Sequence, residues 1–359
     1  MRLVSSGSGG ADAPKEDEEG RMMRAVLAAG AALGCLLLAS AEAQAQTPSF
    51  AKKTINIYIA NTSGGSYDLY GRLISRHLGK HLAGDPAVVA QNMPGGGGIV
   101  AANYLYQVAP KDGTAMAVLI ETVAVEQALK EPTVKYDAAK FTWIGRVASS
   151  VNIHFQWHTS KVQSIEDSMK YESTVAAAGT GNLSEIVPKM LNGTIGTKFK
   201  VISGYPASNE GMIAMERGEV EGTASSWAAV KVGKQEWLKE KKIKIILQDT
   251  PTRYSELPDV PAMGEFGKTP EEKGVLGIYA SNGVIGRSLI GPPGLSADVT
   301  KMLRDGFNAM VKDPEFVGEI QKLKIDLDPA PGEELQTTAG KLLNVSDAVR
   351  ERVHKILGR

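Results

Sequence analysis

Short apolar runs alternate with helical patterns along most of the chain. Residues 53–60 combine β-branched and aromatic side chains and predict a strand. Leucines at near-helical spacing predict a helix over residues 66–82. Further strands are predicted at 87–91 and 114–120, with a second helix at 99–108 between them. This order predicts an α/β fold with a largely parallel sheet.

The same alternation returns in the second half of the chain. More strands are predicted at residues 141–147, 151–157, 173–178, 199–202, 220–224 and 243–248. Helices are predicted at residues 164–169, 183–191, 210–217, 296–311, 315–323 and 332–357, with a mixed apolar stretch at 278–289. A chain of 359 residues has room for about two domains of ordinary size. The pattern therefore predicts two α/β units.

The segment before residue 46 has the pattern of an export signal. Two arginines precede an apolar run at 25–40, and small residues offer cleavage sites after Ala43 or Ala45. The run is shorter than the roughly 20 residues of a membrane-spanning helix, although an uncleaved N-terminal anchor is the alternative. We expect residues 1–45 to comprise a polar, low-complexity lead and a signal peptide, and the mature protein to be periplasmic.

Composition narrows the classes of function. Basic and acidic residues both number 40, so the formal net charge is zero, whereas nucleic-acid-binding proteins usually carry a basic excess or a basic stripe. The single cysteine, Cys35, lies in the apolar run and would be removed with the signal. A disulfide scaffold, a cysteine-ligated zinc site and a CxxC redox centre are therefore excluded. The translation start is open between Met1 and Met22 or Met23.

Three loops share one design, in which a predicted strand ends, small residues follow and a helix begins. They lie at residues 63–66, 95–98 and 179–182. Glycine lets the backbone approach a ligand closely, and a helix N-terminus adds free N–H donors and partial positive charge. Because no loop carries Lys or Arg, the pattern predicts a carboxylate or similar anion held by backbone amides and hydroxyl groups. The alternative for each loop alone is a tight turn that any α/β fold needs.

Patterns for cofactors and catalysis are weak. The motif at residues 96–101, with Glu121 twenty residues further on, satisfies the bare dinucleotide-binding pattern. However, no P-loop occurs, and an exported protein has little access to NAD or ATP. His77 and His81 are four residues apart but lack the glutamate of an HExxH zinc site, and no G-x-S-x-G elbow is present. We expect no cofactor, no metal and no catalytic residue, with a periplasmic enzyme as a weaker alternative.

Several short motifs occur along the chain in one order. They are Ser63–Asp68 followed by Arg72, Gln91–Gly98, Pro110–Thr114, Ala176–Asn182, Tyr205 before Gly218, Leu257–Pro261 and Gly291–Gly294. Together they resemble the solute receptors of tripartite tricarboxylate transporters, also called Bug receptors. The resemblance extends from about residue 53 to the C-terminus, and the combination is more specific than any one motif.

The chain also departs from that family's pattern. Ser63 replaces a proline before the first Gly-Gly pair, and Asn61 replaces an aromatic residue. Ser225 stands where the family often has an aspartate that meets an amino group of the ligand, and Trp227 follows it. The resemblance therefore implies a ligand other than an amino acid.

The resemblance implies a two-lobed, type II-like periplasmic binding protein. Each lobe would have a mostly parallel sheet flanked by helices, with lobe one at 50–147 and 252–359, lobe two at 148–251, and a ligand cleft between them. It implies a non-enzymatic, monomeric receptor that captures a small carboxylate for membrane transporter subunits, or else a periplasmic ligand sensor for a signalling partner. The implied ligand-binding residues are Ser63, Gly64, Gly65, Ser66, Asp68, Asn92, Gly96, Gly97, Gly98, Gly179, Thr180, Gly181, Asn182, Tyr205, Ser208, Ser225 and Trp227.

Overall fold

Two β-sheets with helices packed on them form the framework of the protein. The computed structural model describes residues 22–23, 49–178 and 182–358. Apart from Met22 and Met23, the predicted lead and signal peptide lie outside the described residues, as do Gly179, Thr180 and Gly181. Within the described part of the chain, no helix combines the length and apolar character needed to cross a membrane.

The helices and strands follow one another from residue 54 to residue 357. The strands are β1 (Thr54–Ile59), β2 (Ala87–Asn92), β3 (Ala115–Val118), β4 (Thr142–Arg146), β5 (Asn152–Trp157), β6 (Ser173–Ala177), β7 (Phe199–Ser203), β8 (Gly222–Ser226), β9 (Ile243–Gln248), β10 (Ser288–Gly291) and β11 (Ala330–Pro331). The helices are α1 (Ser66–His77), α2 (Ile99–Gln107), α3 (Val123–Ala128), α4 (Ile165–Lys170), α5 (Leu183–Ile195), α6 (Ser208–Glu216), α7 (Trp227–Gly233), α8 (Gln235–Lys239), α9 (Pro270–Ala280), α10 (Ala297–Met310), α11 (Pro314–Leu323), α12 (Gly332–Leu342) and α13 (Asp347–Leu357).

The first sheet has the strand order β11-β4-β10-β3-β1-β2. Strand β1 pairs in parallel with β2 and β3, whereas β10 runs antiparallel to both β3 and β4. Side chains alternate across a strand, so Ala115 and Ala117 of β3 enter one buried cluster while Met116 and Val118 enter another. Helices therefore cover both faces of this sheet.

The second sheet has the strand order β7-β6-β8-β5-β9. Strand β6 is parallel to β7 and β8, and β5 is antiparallel to β8 and β9. The predicted α/β class is confirmed, with one correction: both sheets are mixed rather than mostly parallel. The antiparallel strands β5 and β10 each come directly after a stretch in which the chain passes from one sheet to the other. Local patterns predict that a strand exists but do not predict the direction of its neighbours.

The C-terminal third of the chain contacts both sheets. Helices α9 and α13 contribute Val275, Leu276 and Val353 to a buried cluster that contains Val187 and Met190 of α5. Helix α5 follows β6 of the second sheet. Two helices from the segment assigned to lobe one therefore pack against a helix assigned to lobe two. The lobe boundaries stay a prediction.

Candidate ligand-binding site

A cavity of about 1080 Å³ lies between the loops of the two sheets. The carboxyl ends of six strands face it, three parallel strands from each sheet. The loops after β1, β2 and β3 come from the first sheet, and those after β6, β7 and β8 come from the second. Ligands of open α/β sheets bind at this edge of the strands. The volume matches the upper range of pockets for small molecules.

The structure brings most of the predicted site residues to this cavity. Those in its wall are Ser63, Gly64, Gly65, Ser66, Asp68, Gly97, Gly98, Asn182, Ser208 and Ser225. Asn92, Gly96, Tyr205 and Trp227 are not in the wall. Gly179, Thr180 and Gly181 lie outside the described residues, so their predicted contact with ligand stays a prediction.

A buried carboxylate organises the first glycine loop. Asp68 is only 5% exposed, and its Oδ2 accepts a hydrogen bond from the amide of Gly64 at 3.0 Å. Arg72 Nε donates to both carboxylate oxygens at 3.0 Å, and Asn92 Nδ2 donates to Oδ1 at 2.9 Å. Asp68 and Asn92 therefore position the loop through Gly64 and Arg72.

These contacts set the charge state of Asp68. Burial by itself would raise the pKa of the carboxyl group, but the hydrogen bonds from Arg72, Gly64 and Asn92 outweigh burial and lower the pKa to about 2. The carboxylate is therefore ionised under all physiological conditions, and it is neutralised locally by Arg72.

The second glycine loop has a backbone that only glycine adopts easily. All four residues at 95–98 have positive φ, with 61° at Gly97 and 91° at Gly98. A Cβ atom on Gly98 would lie 2.8 Å from Ile120 Cδ1. Gly97 and Gly98 line the cavity and precede helix α2. The tight conformation brings the backbone itself, rather than side chains, to the cavity wall.

Polar residues at or near the ends of strands and the starts of helices in the second sheet form another part of the cavity wall. Asn182 caps helix α5, with its side-chain oxygen accepting hydrogen bonds from the Ser184 amide at 3.0 Å and hydroxyl at 2.8 Å. Ser208 is the first residue of α6, whose N-cap Ala207 offers no side-chain cap. Ser225 lies at the end of β8 and is 8% exposed.

Two predicted site residues, Trp227 and Tyr205, pack in a hydrophobic cluster instead of lining the cavity. The Trp227 ring is 8% exposed and packs in a buried cluster with Tyr205 at its edge. Its indole Nε1 donates to Glu256 Oε2 at 2.6 Å, so that N–H group is already satisfied within the protein. Trp227 is one of the ligand-binding residues that the family resemblance implies, but its side chain packs in the core and is not in the cavity wall.

Among the described residues, four helices longer than two turns have their N-cap or first residue in the cavity wall. These are α1, α2, α5 and α6, whose N-caps are Gly65, Gly98, Asn182 and Ala207. The first N–H groups of a helix lack intrahelical partners and carry partial positive charge. Neither Gly65 before α1 nor Gly98 before α2 supplies a side-chain cap. These helix starts bring partial positive charge to the wall, which favours binding of an anion beside them.

The structure also brings polar residues that the loop motifs did not predict. Glu121 is 4% exposed and accepts hydrogen bonds from the Tyr67 hydroxyl and from Asn152 Nδ2, the latter at 2.8 Å. Burial, followed by the charge of Glu121, raises the pKa of Tyr67 well above its ordinary value, so its hydroxyl stays protonated. Arg287 also lines the cavity and is 3% exposed. No local motif marks Arg287, because it lies far along the chain from the glycine loops.

The two histidines with helical spacing each lie beside a carboxylate. Among residues 49–178 and 182–358, no group of three or more His, Cys, Asp or Glu side chains is arranged to hold a metal ion. His77 instead lies 2.7 Å from Glu319 on another helix, and His81 lies 3.0 Å from Asp313. His77, the last residue of α1, therefore contacts a carboxylate of α11, and His81, four residues further on, contacts the N-cap of α11.

Comparison with known proteins identifies one family. The model of the "Tripartite tricarboxylate transporter family receptor" matches residues 71–349. Among curated proteins, a "UPF0065 protein in gbd 5'region" from Cupriavidus necator is 25% identical over 313 residues, which cover 85% of this chain and 87% of that protein. The sequence match therefore extends over most of both chains.

Solved structures agree with the fold. R. palustris Rpa4515 with adipate has a TM-score of 0.63 and 19% identity, covering 85% of this chain and 97% of that chain. The periplasmic binding protein BugD has the same TM-score and identity, with the same coverage of both chains. At this level of identity the likeness shows a shared fold, and it confirms the predicted architecture.

Proposed function

Because the chain belongs to the tripartite tricarboxylate transporter receptor family, we propose that it is a periplasmic receptor for a small carboxylate solute. The convergence of four helix N-termini on one cavity carries this proposal. Such N-termini bind anions through backbone N–H groups and partial positive charge. The receptor passes its ligand to the membrane subunits of a tripartite tricarboxylate transporter.

The proposed ligand has a free carboxylate and no amino group. Adipate in the R. palustris relative supports an acid of this class. Ser225 lines the cavity, at the position where the family resemblance implies an aspartate. Ser225 therefore offers no carboxylate to a ligand ammonium group at that position. The proposed contacts are the predicted site residues that line the cavity.

Ligand capture depends on contacts with both walls. The loops at 63–66 and 95–98 would hold the ligand from lobe one, and Asn182, Ser208 and Ser225 would hold it from lobe two. A ligand shifts a conformational equilibrium only by its difference in affinity for the two states. Contacts with both lobes therefore favour the closed form, which the membrane subunits would recognise. The receptor needs no second copy for this and acts as a monomer.

Titration calorimetry on the mature chain, from residue 46, tests the proposal. The panel contains adipate, glutarate, succinate and citrate, with lysine and glucose as non-acidic comparisons. We expect at least one acid to bind in the micromolar range or tighter and the comparisons not to bind. Failure of every acid to bind would overturn the carboxylate assignment, and binding of glucose or lysine instead would point to another class of ligand.

Cell experiments test the export of the protein and the identity of its membrane partner. N-terminal sequencing of the periplasmic protein is expected to start at residue 44 or 46, after cleavage at Ala43 or Ala45. Deletion of the gene is expected to abolish uptake of the bound acid. Unchanged uptake, together with loss of acid-induced gene expression, would instead support a periplasmic sensor.

A further inference from the structure

One buried cation faces the proposed site without an acidic partner. Arg287 is 3% exposed, lines the cavity, and takes part in none of the ion pairs found among the described residues. Its Nε is buried and has no hydrogen-bond partner there. An uncompensated buried charge is unfavourable unless a hydrogen bond or counter-ion satisfies it.

The backbone holds Arg287 firmly in this place. Its amide donates to the Ala148 carbonyl at 2.8 Å, and its carbonyl accepts from the Val147 amide at 3.0 Å. The residue stands immediately before β10, where the chain returns to the first sheet. The side chain therefore projects from a fixed point of the framework rather than from a mobile loop.

The guanidinium group lies beside the start of helix α1. Arg287 Nη2 donates to Ser66 Oγ at 2.9 Å, and Cζ lies 4.9 Å from the centre of the Tyr67 ring. Stacking on an aromatic face positions a guanidinium group without neutralising it. A full positive charge and the positive end of a helix thus coincide at one point of the cavity wall.

The other positively charged side chains in the cavity wall are less available to bind a ligand anion. Arg72 is paired with Asp68, and Arg76 is paired with Glu319. Lys234 is only partly buried and lies 4.1 Å from the centre of the Trp237 ring. Arg287 is therefore the buried cation of the cavity whose charge is left for a ligand.

We propose that Arg287 binds a carboxylate of the ligand and makes the receptor selective for the ionised acid over a neutral amide of the same shape. The planar N–H fork of arginine matches the two oxygens of a carboxylate. Ser66 Oγ accepts from Nη2 and donates to no other side chain or backbone group in the described part of the chain, so its O–H is available to the same carboxylate. This assignment rests on the proposed function and adds a side-chain cation to the backbone amides.

The test compares Arg287→Gln with the unchanged protein by titration calorimetry. The probes are the tightest-binding acid of the panel above and its amide, for example adipate and adipamide. We expect Arg287→Gln to lose on the order of a hundredfold in affinity for the acid and little for the amide. Arg287→Lys, which keeps the charge but not the fork, should lose less. Arg253→Gln removes an exposed arginine paired with Glu265 and should leave both affinities unchanged.

Thermal unfolding without ligand separates binding from a structural role. Removing an unpaired buried charge should leave the unfolding midpoint of Arg287→Gln unchanged or higher. Equal losses for acid and amide, or an unchanged affinity for the acid, would overturn the assignment while the proposed function stands. If the unchanged protein binds no acid of the panel, the proposed function fails and this inference fails with it.

Discussion

Lys231 Nζ lies 2.7 Å from Asp326 Oδ1 and joins helix α7 of the second sheet to the segment that leads into β11 of the first. Lys231 also lies 2.9 Å from Glu256 Oε2, and the Tyr70 hydroxyl donates to the Asp326 carbonyl at 2.7 Å. The Asp326 side chain is 16% exposed and that of Lys231 is 26% exposed. This partly buried network links a helix of the second sheet to a segment of the first sheet, next to the ligand cavity.

Asp326→Asn should lower the free energy of unfolding by about 1 kcal/mol, because it removes one charge of a partly buried pair. Urea unfolding at low and high salt is the measurement, and the difference should shrink at high salt. Asp305→Asn is the matched control: its pair with Lys301 is far more exposed, at 61% and 77%. Equal effects of the two variants would contradict the assigned role of Asp326.

Gly97→Val should reduce affinity for the acid by on the order of tenfold or more, because a branched side chain would occupy the cavity wall. Gly196→Val is the control for backbone strain. Gly196 has a φ of 76°, close to the 61° of Gly97, and open space around its Cβ position. It is the C-cap of α5 and does not line the cavity.

Both glycine variants should lose a similar stability, about 1–2 kcal/mol, since each places a residue with Cβ in the left-handed region. Titration calorimetry and urea unfolding distinguish the two effects. An equal affinity for the acid in both variants would show that the loop at 95–98 does not contact the ligand.

The depressed pKa of Asp68 predicts a specific loss of stability in acid. The pKa is about 2 in the folded protein, below its ordinary value of 3.8. The contribution of the ionised Asp68 side chain to the free energy of unfolding is therefore complete above about pH 4 and is lost as the pH falls toward 2. Asp68→Asn should cost about 2 kcal/mol at pH 7 and should flatten the pH dependence of unfolding between pH 4 and 2. An acid dependence as steep as that of the unchanged protein would exclude Asp68 as its source.

Trp227 should matter for stability and not for selectivity. Trp227→Ala should cost about 3 kcal/mol or more, because it empties a large buried volume. Trp227→Phe keeps most of the ring and removes the N–H donor to Glu256, which should cost about 1 kcal/mol. Urea unfolding measures both costs. A greater loss of affinity for long acids than for short ones in Trp227→Ala would place this ring in the site after all.

Local chemistry determined much of the framework. The order of strands from residue 53 to residue 248 follows from hydrophobic period and turn residues, because both act over a few neighbouring positions. Most helices between them follow in the same way, but the short helices α3, α7 and α8 were not predicted. Helix α9 could have been found in the same way: Thr269 caps it, Pro270 occupies its first position, and Glu272 completes a capping box. The glycine loops also identified most of the cavity wall, since a strand end followed by a helix start is a local signal.

Only the tertiary structure decided where side chains from distant segments meet. Arg287 bonds to Ser66 across 221 positions of sequence, and no local pattern contains that relationship. Trp227 follows the end of a strand, as a site residue would. However, its ring packs in the buried cluster beside β8, and its indole N–H donates to Glu256. The directions of β5 and β10 were likewise set by how the chain passes between the two sheets. Periodicity specifies which face of an element is buried, whereas packing of the whole core determines what that face meets.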